Sequence, residues 1–370
     1  MITWNHFRLA VAATLAVGLL LIGSEGTRGE GKTKSLEFPQ SRSFHLAFTQ
    51  YSIAGLAEHV DMISLHYDVR VPWSEALTGK LYSKRVEEEI AFRKNHLRKD
   101  QKVYLAVTPL AGRDALSWKG KDFDDPEAIA AYTNHCRRMI RELKPDYFNY
   151  GIEVNMLAWS NPAGFRKFLV MAKEVYRALK NENPHLPIFL SFQIDIFHKD
   201  EENQEKALRQ LLPYTDYIAV SCYPYMEGYP NIEGHANPED LPRNWFSRLA
   251  DFAPSKPFAI AETGWTAKDV NLVLKSLKNG RAHVPGNEGW QARYTSFILE
   301  ESHRLNGRFV VWFVGRDFGT VNSESAKWWQ HCGMVDRDGT PRESLHIWDQ
   351  WLKLPTKNQK HQPIHSDDGA

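Results

Sequence analysis

Short apolar runs recur along the chain and alternate with longer stretches in which the apolar residues have helical spacing. The runs are rich in Val, Ile, Phe, Tyr and Ala, which is typical of parallel strands covered by helices. They predict eight strands: Phe44–Thr49, Met62–Tyr67, Val103–Thr108, Tyr147–Ile152, Ile188–Gln193, Tyr217–Cys222, Phe258–Ala261 and Phe309–Val314.

The stretches between the runs predict helices with one apolar face. These helices are Tyr82–Leu97, Pro126–Leu143, Phe165–Lys180, Gln204–Leu212, Asn244–Phe252, Trp290–Leu305 and, after the last strand, Glu343–Leu352. Eight strands alternating with helices predict a single (β/α)8 TIM barrel of the α/β class. A doubly wound nucleotide-binding sheet is disfavoured because no Gly-x-Gly-x-x-Gly motif follows any strand.

Two of the predicted strands lead into a glutamate. Glu153 follows the fourth strand, and Glu262 follows the seventh. Barrel enzymes place their active sites at the carboxyl ends of the strands, so the two carboxylates are expected to face one pocket. Alternation along the fourth strand puts Asn149, Gly151 and Glu153 on its inner face. Such a pair suits hydrolysis of a glycosidic bond, since one carboxyl group protonates the leaving oxygen and the other attacks the sugar.

Composition narrows the class of partner. The 370 residues include 46 basic and 45 acidic side chains, a formal net charge of +1, so electrostatic capture of nucleic acid is not expected. Some of the 12 Trp and 14 Tyr are available to stack on sugar rings, while most pack in the core. The three cysteines, Cys136, Cys222 and Cys332, form neither a disulfide framework nor a zinc motif, although one disulfide remains an alternative. We therefore expect a carbohydrate partner, with no metal and no cofactor.

The N-terminus is typical of a targeting segment. Arg8 closes a short basic region, and an apolar stretch from Leu9 to Ile22 follows, which is short for a membrane span. Residues 1–26 are expected to be a signal peptide, with an uncleaved anchor as the alternative. Residues 27–40 are expected to be a flexible linker, 41–354 one catalytic domain and 355–370 a disordered tail. We expect a secreted, periplasmic or cell-surface monomer without other membrane association.

Four short segments extend the pattern. They are Gly151-Ile152-Glu153-Val154-Asn155, Ser221-Cys222-Tyr223-Pro224-Tyr225, Ala261-Glu262-Thr263-Gly264-Trp265 and Val311-Trp312-Phe313. Together with residues 333–342, the segments resemble the retaining glycoside hydrolases of clan A, in particular endo-acting β-galactanases and β-mannanases. The resemblance implies that Glu153 is the general acid/base and Glu262 the nucleophile. It also implies that Tyr223 holds the Glu262 carboxylate and that Trp312 forms the floor under the sugar.

Three more side chains are candidates for substrate binding: His66 at the end of the second strand, Asn149 on the fourth strand and Trp265 after Glu262. One position departs from the resemblance. Most clan members have asparagine directly before the acid/base glutamate, where it contacts the sugar 2-hydroxyl, and this chain has Ile152. This departure supports one alternative, a barrel that binds glycans without cleaving them. A transglycosylase is a second alternative, because it would use the same two glutamates. Cleavage within the sugar chain, or endo action, is expected because several aromatic side chains could each stack on a separate sugar of a long substrate.

Overall fold

The predicted strands form a closed barrel in the computed structural model, which describes residues 38–49, 55–67, 71–112, 114–226, 237–273, 281–319 and 324–357. The barrel strands are β1 (His45–Thr49), β2 (Met62–Tyr67), β3 (Lys102–Val107), β4 (Tyr147–Asn149), β5 (Ile188–Phe189 and Ser191–Gln193), β6 (Ile218–Cys222), β7 (Phe258–Thr263) and β8 (Phe309–Trp312). The predicted (β/α)8 fold is confirmed.

Neighbouring barrel strands all run parallel, and their order around the barrel follows the chain. β1 pairs with β2 on one side and with β8 on the other. β5 closes the barrel in two pieces, because its first piece pairs with β4 and its second piece pairs with β6. The carboxyl ends of all eight strands therefore open on one face of the barrel, here called the loop face.

Helices cover the outside of the barrel. They are α1 (Trp73–Thr78), α2 (Lys84–Asn95), α3 (Pro126–Leu143), α4 (Met156–Ser160), α5 (Pro162–Glu182), α6 (Ile194–Lys199), α7 (Glu201–Leu211), α8 (Ser247–Phe252), α9 (Glu288–Arg304) and α10 (Glu343–Leu352). The start of α3 has a local cause: the Asp125 side chain accepts the Glu127 N–H, and Pro126 needs no hydrogen bond in a first turn. Between β1 and β2 the described residues form a 3-10 turn, Ala57–His59, rather than a full helix.

Two apolar layers follow from the alternation of side chains along the strands. The larger layer lies between the strands and the helices and includes Phe148, Val220 and Val310. The smaller layer fills the barrel interior with Ala47, Met62, Tyr104, Ala106, Tyr147, Phe189, Tyr217, Ala219, Ala259, Ala261, Phe309 and Val311. The interior is therefore packed with side chains, and the candidate site lies above this packing.

Two features of the loop face were not predicted from the sequence. An antiparallel hairpin, with strands Lys268–Val273 and Arg281–Asn287, is inserted between β7 and α9. A 3-10 helix, Glu324–Trp329, lies between β8 and α10. The Ala267 N–H donates to the His331 carbonyl and so ties the base of the hairpin to the segment after β8.

Several predictions about the chain ends lie outside the described residues, namely the signal segment 1–26, most of the linker 27–40 and residues 358–370 of the tail. The first residues of the predicted tail do have a place in the fold, because the Lys357 N–H donates to the Arg42 carbonyl. All three cysteines are buried and free. None of the helices in the described ranges has the length and hydropathy needed to cross a membrane.

Candidate active site

A β-bulge in β7 turns Glu262 toward the barrel axis. Up to Ile260 the strand pairs residue for residue with β6, but the next pair joins Glu262 to Ser221, so Ala261 is an extra residue. The pairing of β7 with β8 shows the same irregularity. A bulge re-aims the side chains that follow it. Ala261 and Glu262 consequently both face inward, while Thr263 faces helix α9.

Both carboxylate oxygens of Glu262 have a described partner. The Tyr223 hydroxyl, just after β6, donates a short hydrogen bond to Oε1. His66 Nε2, in β2, lies 3.0 Å from Oε2, which is hydrogen-bonding distance. Hydrogen bonds to a carboxylate stabilise its ionised form. The structure thus brings together three of the residues that the sequence singled out.

Tyr223 is fixed at its backbone as well as at its hydroxyl. Its N–H donates to the buried Asp195 carboxylate (2.9 Å), which also accepts from the Gln193 amide (2.8 Å). Burial raises the pKa of the Tyr223 phenol well above its usual value, and the charges of Glu262 and Glu153 add to this shift. The phenol therefore remains a neutral donor. Glu153 and Glu262 thus both lie close enough to this phenol for their charges to act on it.

Glu153 lies in the turn after β4, a strand that ends at Asn149 and not at Ile152 as the apolar run predicted. Its φ of +51° is a left-handed conformation that is unusual for glutamate. The Glu153 N–H donates to the Ser191 hydroxyl (3.2 Å), which also accepts from the Asn149 amide (3.1 Å). Asn149 also accepts the Gly151 N–H (3.0 Å), so both ends of its amide hold the Glu153 turn. Its side chain is completely buried, which leaves no exposed atom for the substrate contact that was predicted.

Phe313, rather than Trp312, faces the pocket. Every second residue of β8 lies in the barrel interior, and Trp312 belongs to the other set, which faces the helices. Trp312 is fully buried, and its indole N–H donates to the Cys332 carbonyl (2.7 Å). The ring centroid of Phe313 lies 6.4 Å from that of Tyr223 and 6.5 Å from that of His66. The structure therefore places Phe313, and not Trp312 as the resemblance implied, beside the two side chains that hold Glu262.

Trp265 is also placed outside the pocket. It is completely buried, its ring packs 4.6 Å from that of Tyr294 in α9, and its carbonyl accepts from Gln291 of the same helix. Gly264, which precedes it, approaches the pocket more closely. A Cβ at this position would lie 2.5 Å from the Phe313 carbonyl oxygen, so the close passage of the two strands requires glycine.

Two apolar side chains also lie near the Glu262 pocket. Trp329, at the end of the 3-10 helix, lies 6.0 Å from the ring of Tyr223 and 5.8 Å from that of Phe313. Ile152 is half-buried and packs on the barrel interior. The sequence analysis missed Phe313 and Trp329. Alternation along β8 was the signal that would have found Phe313, whereas no pattern marks Trp329.

The polar groups of the pocket are suited to acid–base and nucleophilic chemistry. They comprise two carboxylates, an imidazole and a phenol, which together can donate a proton, attack an electron-poor carbon and stabilise charge. Across the described ranges, no group of three or more His, Cys, Asp or Glu side chains is arranged to hold a metal ion.

Solved structures with a similar fold include several barrel glycoside hydrolases. The exo-β-1,4-mannosidase Op5Man5 from Opitutaceae bacterium strain TAV5 matches with a TM-score of 0.62 and 13% identity, over 85% of this chain and 60% of that one. GH5_18 from Streptomyces cattleya matches with a TM-score of 0.62 and 11% identity, over 85% and 82% of the two chains. The GH53 catalytic domain from Ignisphaera aggregans matches with a TM-score of 0.57 and 15% identity, over 87% and 98%.

At these identities the likeness concerns the fold. No family model matches the chain, and no curated protein matches it significantly. The fold that the resemblance implied is nevertheless present: the chain has a (β/α)8 barrel similar to those of these glycoside hydrolases.

Proposed function

We propose that the chain is a retaining glycoside hydrolase that cleaves β-glycosidic bonds in an oligo- or polysaccharide. The observation that carries this proposal is the Glu262 carboxylate at the loop face, held by the Tyr223 hydroxyl and by His66. A second carboxylate, Glu153, follows β4 in a turn fixed by the Ser191 hydroxyl, and its charge contributes to the raised pKa of the same tyrosine. Two carboxylates in unequal surroundings are suited to separate roles as acid and nucleophile.

The surroundings assign these roles. Tyr223 and His66 stabilise negative charge on Glu262, so we assign Glu262 the role of the ionised nucleophile and Glu153 that of the acid. In the first step Glu262 attacks the anomeric carbon while Glu153 protonates the departing oxygen, which leaves a covalent glycosyl–enzyme ester. In the second step Glu153 takes a proton from water, and the water oxygen displaces Glu262 from the anomeric carbon. Two inversions retain the β configuration.

Variants of the two glutamates test these roles. Glu262→Gln preserves the size of the side chain and should abolish hydrolysis of every substrate. Glu153→Gln should still release a burst of an acidic phenol from an aryl glycoside, because such a group departs without protonation, and then stall because water lacks its base. Glu202→Gln is the matched control, since that side chain is 83% exposed on α7. Wild-type rates for Glu262→Gln on β-mannans, galactans, glucans and xylans would contradict the proposal.

The stereochemistry of the product is a second test. Retention requires about 5–5.5 Å between the two carboxyl groups, whereas inversion requires about 6.5–9.5 Å. Proton NMR in the first minutes of the reaction should therefore show the β-anomer of the new reducing sugar. If the α-anomer appears first, the reaction inverts the anomeric configuration. That result would exclude the covalent glycosyl–enzyme intermediate but not the glycosidase activity.

Ile152 favours a second candidate function, a barrel that binds glycans without cleaving them. Its side chain packs on the barrel interior directly before Glu153 and offers no hydrogen bond to a sugar hydroxyl. Calorimetry that detects oligosaccharide binding, together with no cleavage over days, would favour this alternative. Transglycosylation by the same two glutamates would be recognised by products longer than the substrate.

We also propose endo action, export and a monomeric state. Endo action is supported by Trp159, which is 45% exposed on α4 shortly after the Glu153 turn and offers a ring for an outer sugar. A labelled hexasaccharide should then give internal cleavage products, whereas stepwise loss of monosaccharides would exclude endo action. N-terminal sequencing of protein from the culture medium tests export, and light scattering tests the monomer.

A further inference from the structure

A groove of about 440 Å³ opens on the loop face between the inserted hairpin and the segment after β8. Its lining includes Phe318 and the polar side chains of Lys268, Lys327, Gln330 and His331. A neighbouring lobe of about 250 Å³ lies along the first strand of the hairpin and shares the last three of these residues. The two lobes therefore adjoin at these residues, and both together are here called the groove.

Aromatic rings connect this groove to the Glu262 pocket. Trp329 packs against Tyr223, which binds Glu262, and against Phe313. The ring of Phe313 in turn lies 6.4 Å from that of Phe318 in the groove lining. The wall that leads from the carboxylate to the groove is thus aromatic, and aromatic faces match the apolar C–H faces of pyranose rings.

The groove lining suits a ligand with many hydroxyl groups. A hydroxyl group is at once a donor and an acceptor, and so it is matched by a surface that mixes both kinds of group. Gln330 carries both on one side chain, and Lys268 and Lys327 donate. Asn271 offers its amide N–H groups, because its Oδ1 lies 3.0 Å from a neighbouring imidazole, and His331 offers Nε2, because its Nδ1 is buried 3.6 Å from an aspartate. Mixed polar groups beside an aromatic flank favour a saccharide over an apolar ligand.

Simple ions fit the groove less well. Asp317 accepts two hydrogen bonds from Arg342, at 2.9 and 2.7 Å, so its charge is already balanced within the fold. Asp336 accepts backbone N–H groups of its own turn. The other charged side chains of the lining are Lys268, Lys327 and Arg337 against Asp338 and Asp269, so the groove presents both signs of charge and favours neither a simple cation nor phosphate.

We propose that this groove is a further saccharide subsite, which binds a neutral sugar unit next to the one at Glu262. The proposal rests on the proposed glycosidase function and deepens it, because it makes an oligosaccharide the preferred substrate. The groove volume lies within the range of about 300–1,000 Å³ typical of small-molecule sites. Its walls come from the loops after β7 and β8, the strands that carry Glu262 and lead into Phe313, so a bound sugar has a fixed position relative to the carboxylate.

The test is the dependence of kcat/KM on substrate length in the double variant Lys268→Ala with Gln330→Ala. We expect kcat/KM for a tetrasaccharide to fall about tenfold, because hydrogen bonds to the outer sugar are lost. For an aryl glycoside with one sugar, kcat/KM should change less than about twofold, since that substrate does not reach the groove. Lys84→Ala with Gln210→Ala is the matched control, because both side chains are exposed on distant helices.

An equal fall with both substrates would overturn the proposal, as would equal wild-type kcat/KM for a disaccharide and a tetrasaccharide. Failure of the proposed function has a different signature: wild-type protein would hydrolyse no substrate, short or long. In that case an NMR titration of the tetrasaccharide into Glu262→Gln protein tests whether the groove binds the saccharide. Shifts of the Gln330 and His331 amide signals would support the subsite, and unchanged signals there would overturn it.

Discussion

Tyr223→Phe removes one oxygen atom from the candidate site and leaves the ring in place. The lost hydroxyl donates to Glu262 Oε1. In the proposed covalent intermediate Glu262 is a neutral ester, and it regains its charge as water displaces it, so the donor stabilises the transition state of the second step. A hydrogen bond to a charged group contributes roughly 1.5–3 kcal/mol. We therefore expect kcat to fall about 10- to 150-fold.

Stopped-flow measurements with an aryl β-glycoside separate the two steps. Tyr223→Phe should release about one phenol per enzyme rapidly and then turn over slowly, because the second step is the slower one. The fold should be little affected, since the Asp195 contact is to the Tyr223 backbone, and the melting temperature should fall by less than about 4 °C.

Tyr225→Phe is the matched control for this experiment, because its hydroxyl donates to the Trp328 carbonyl (2.8 Å) instead of to Glu262. Wild-type turnover in Tyr223→Phe, or an equal loss in Tyr225→Phe, would refute the reasoning. A loss of kcat without a burst would place the effect on the first step, which would contradict the account of the departing carboxylate.

The remaining predictions concern stability. Gly264→Ala places a Cβ 2.5 Å from the Phe313 carbonyl oxygen and should lower the free energy of unfolding in urea by about 1–3 kcal/mol. Gly319→Ala is the control and should leave it unchanged, because no atom lies within 4 Å of the added Cβ. Arg342→Ala leaves the buried Asp317 carboxylate without its cation and should cost about 3–5 kcal/mol at neutral pH. Burial opposes the charge of Asp317, but the hydrogen bonds and charge of Arg342, with hydrogen bonds from His331 and the Gly333 N–H, outweigh burial and lower the pKa of Asp317 below 3.8. The contribution of ionised Asp317 to the free energy of unfolding is present above pH about 4 and is lost as pH falls through the lowered pKa. In Asp317→Asn the free energy of unfolding should therefore depend less on pH in this acid range.

Much of the fold was predictable because parallel barrel strands are buried on both faces, so each strand coincides with an apolar run. The bounds of β2, α3 and α10 agree residue for residue with the predicted Met62–Tyr67, Pro126–Leu143 and Glu343–Leu352. The hairpin Lys268–Val273 and Arg281–Asn287 was missed, since its residues pair with each other on the surface and leave no continuous apolar run.

The residues of the candidate site were predictable where their place at a strand end determines that they face the pocket. They were less predictable where an irregularity of the backbone determines it. His66 and Tyr223 follow from their places at strand ends. Strict alternation from Ala259 would point Glu262 outward, and no sequence pattern announces the bulge that turns it inward. At the end of β8 the sequence pattern was the better guide. The resemblance implied Trp312, whereas alternation along the strand points Phe313 toward the pocket.

The bulge also gives β7 a tolerance to changes of length that β2 lacks. Deleting Ala261 would make the pairing with β6 regular and leave Glu262 opposite Ser221, still directed at the pocket. β2 pairs with β3 residue for residue, so deleting Ser64 would move His66 to the outer face of the barrel. β7 therefore has one residue more than its pairing needs, whereas β2 has none. We expect the deletion of Ala261 to preserve activity and the deletion of Ser64 to abolish it.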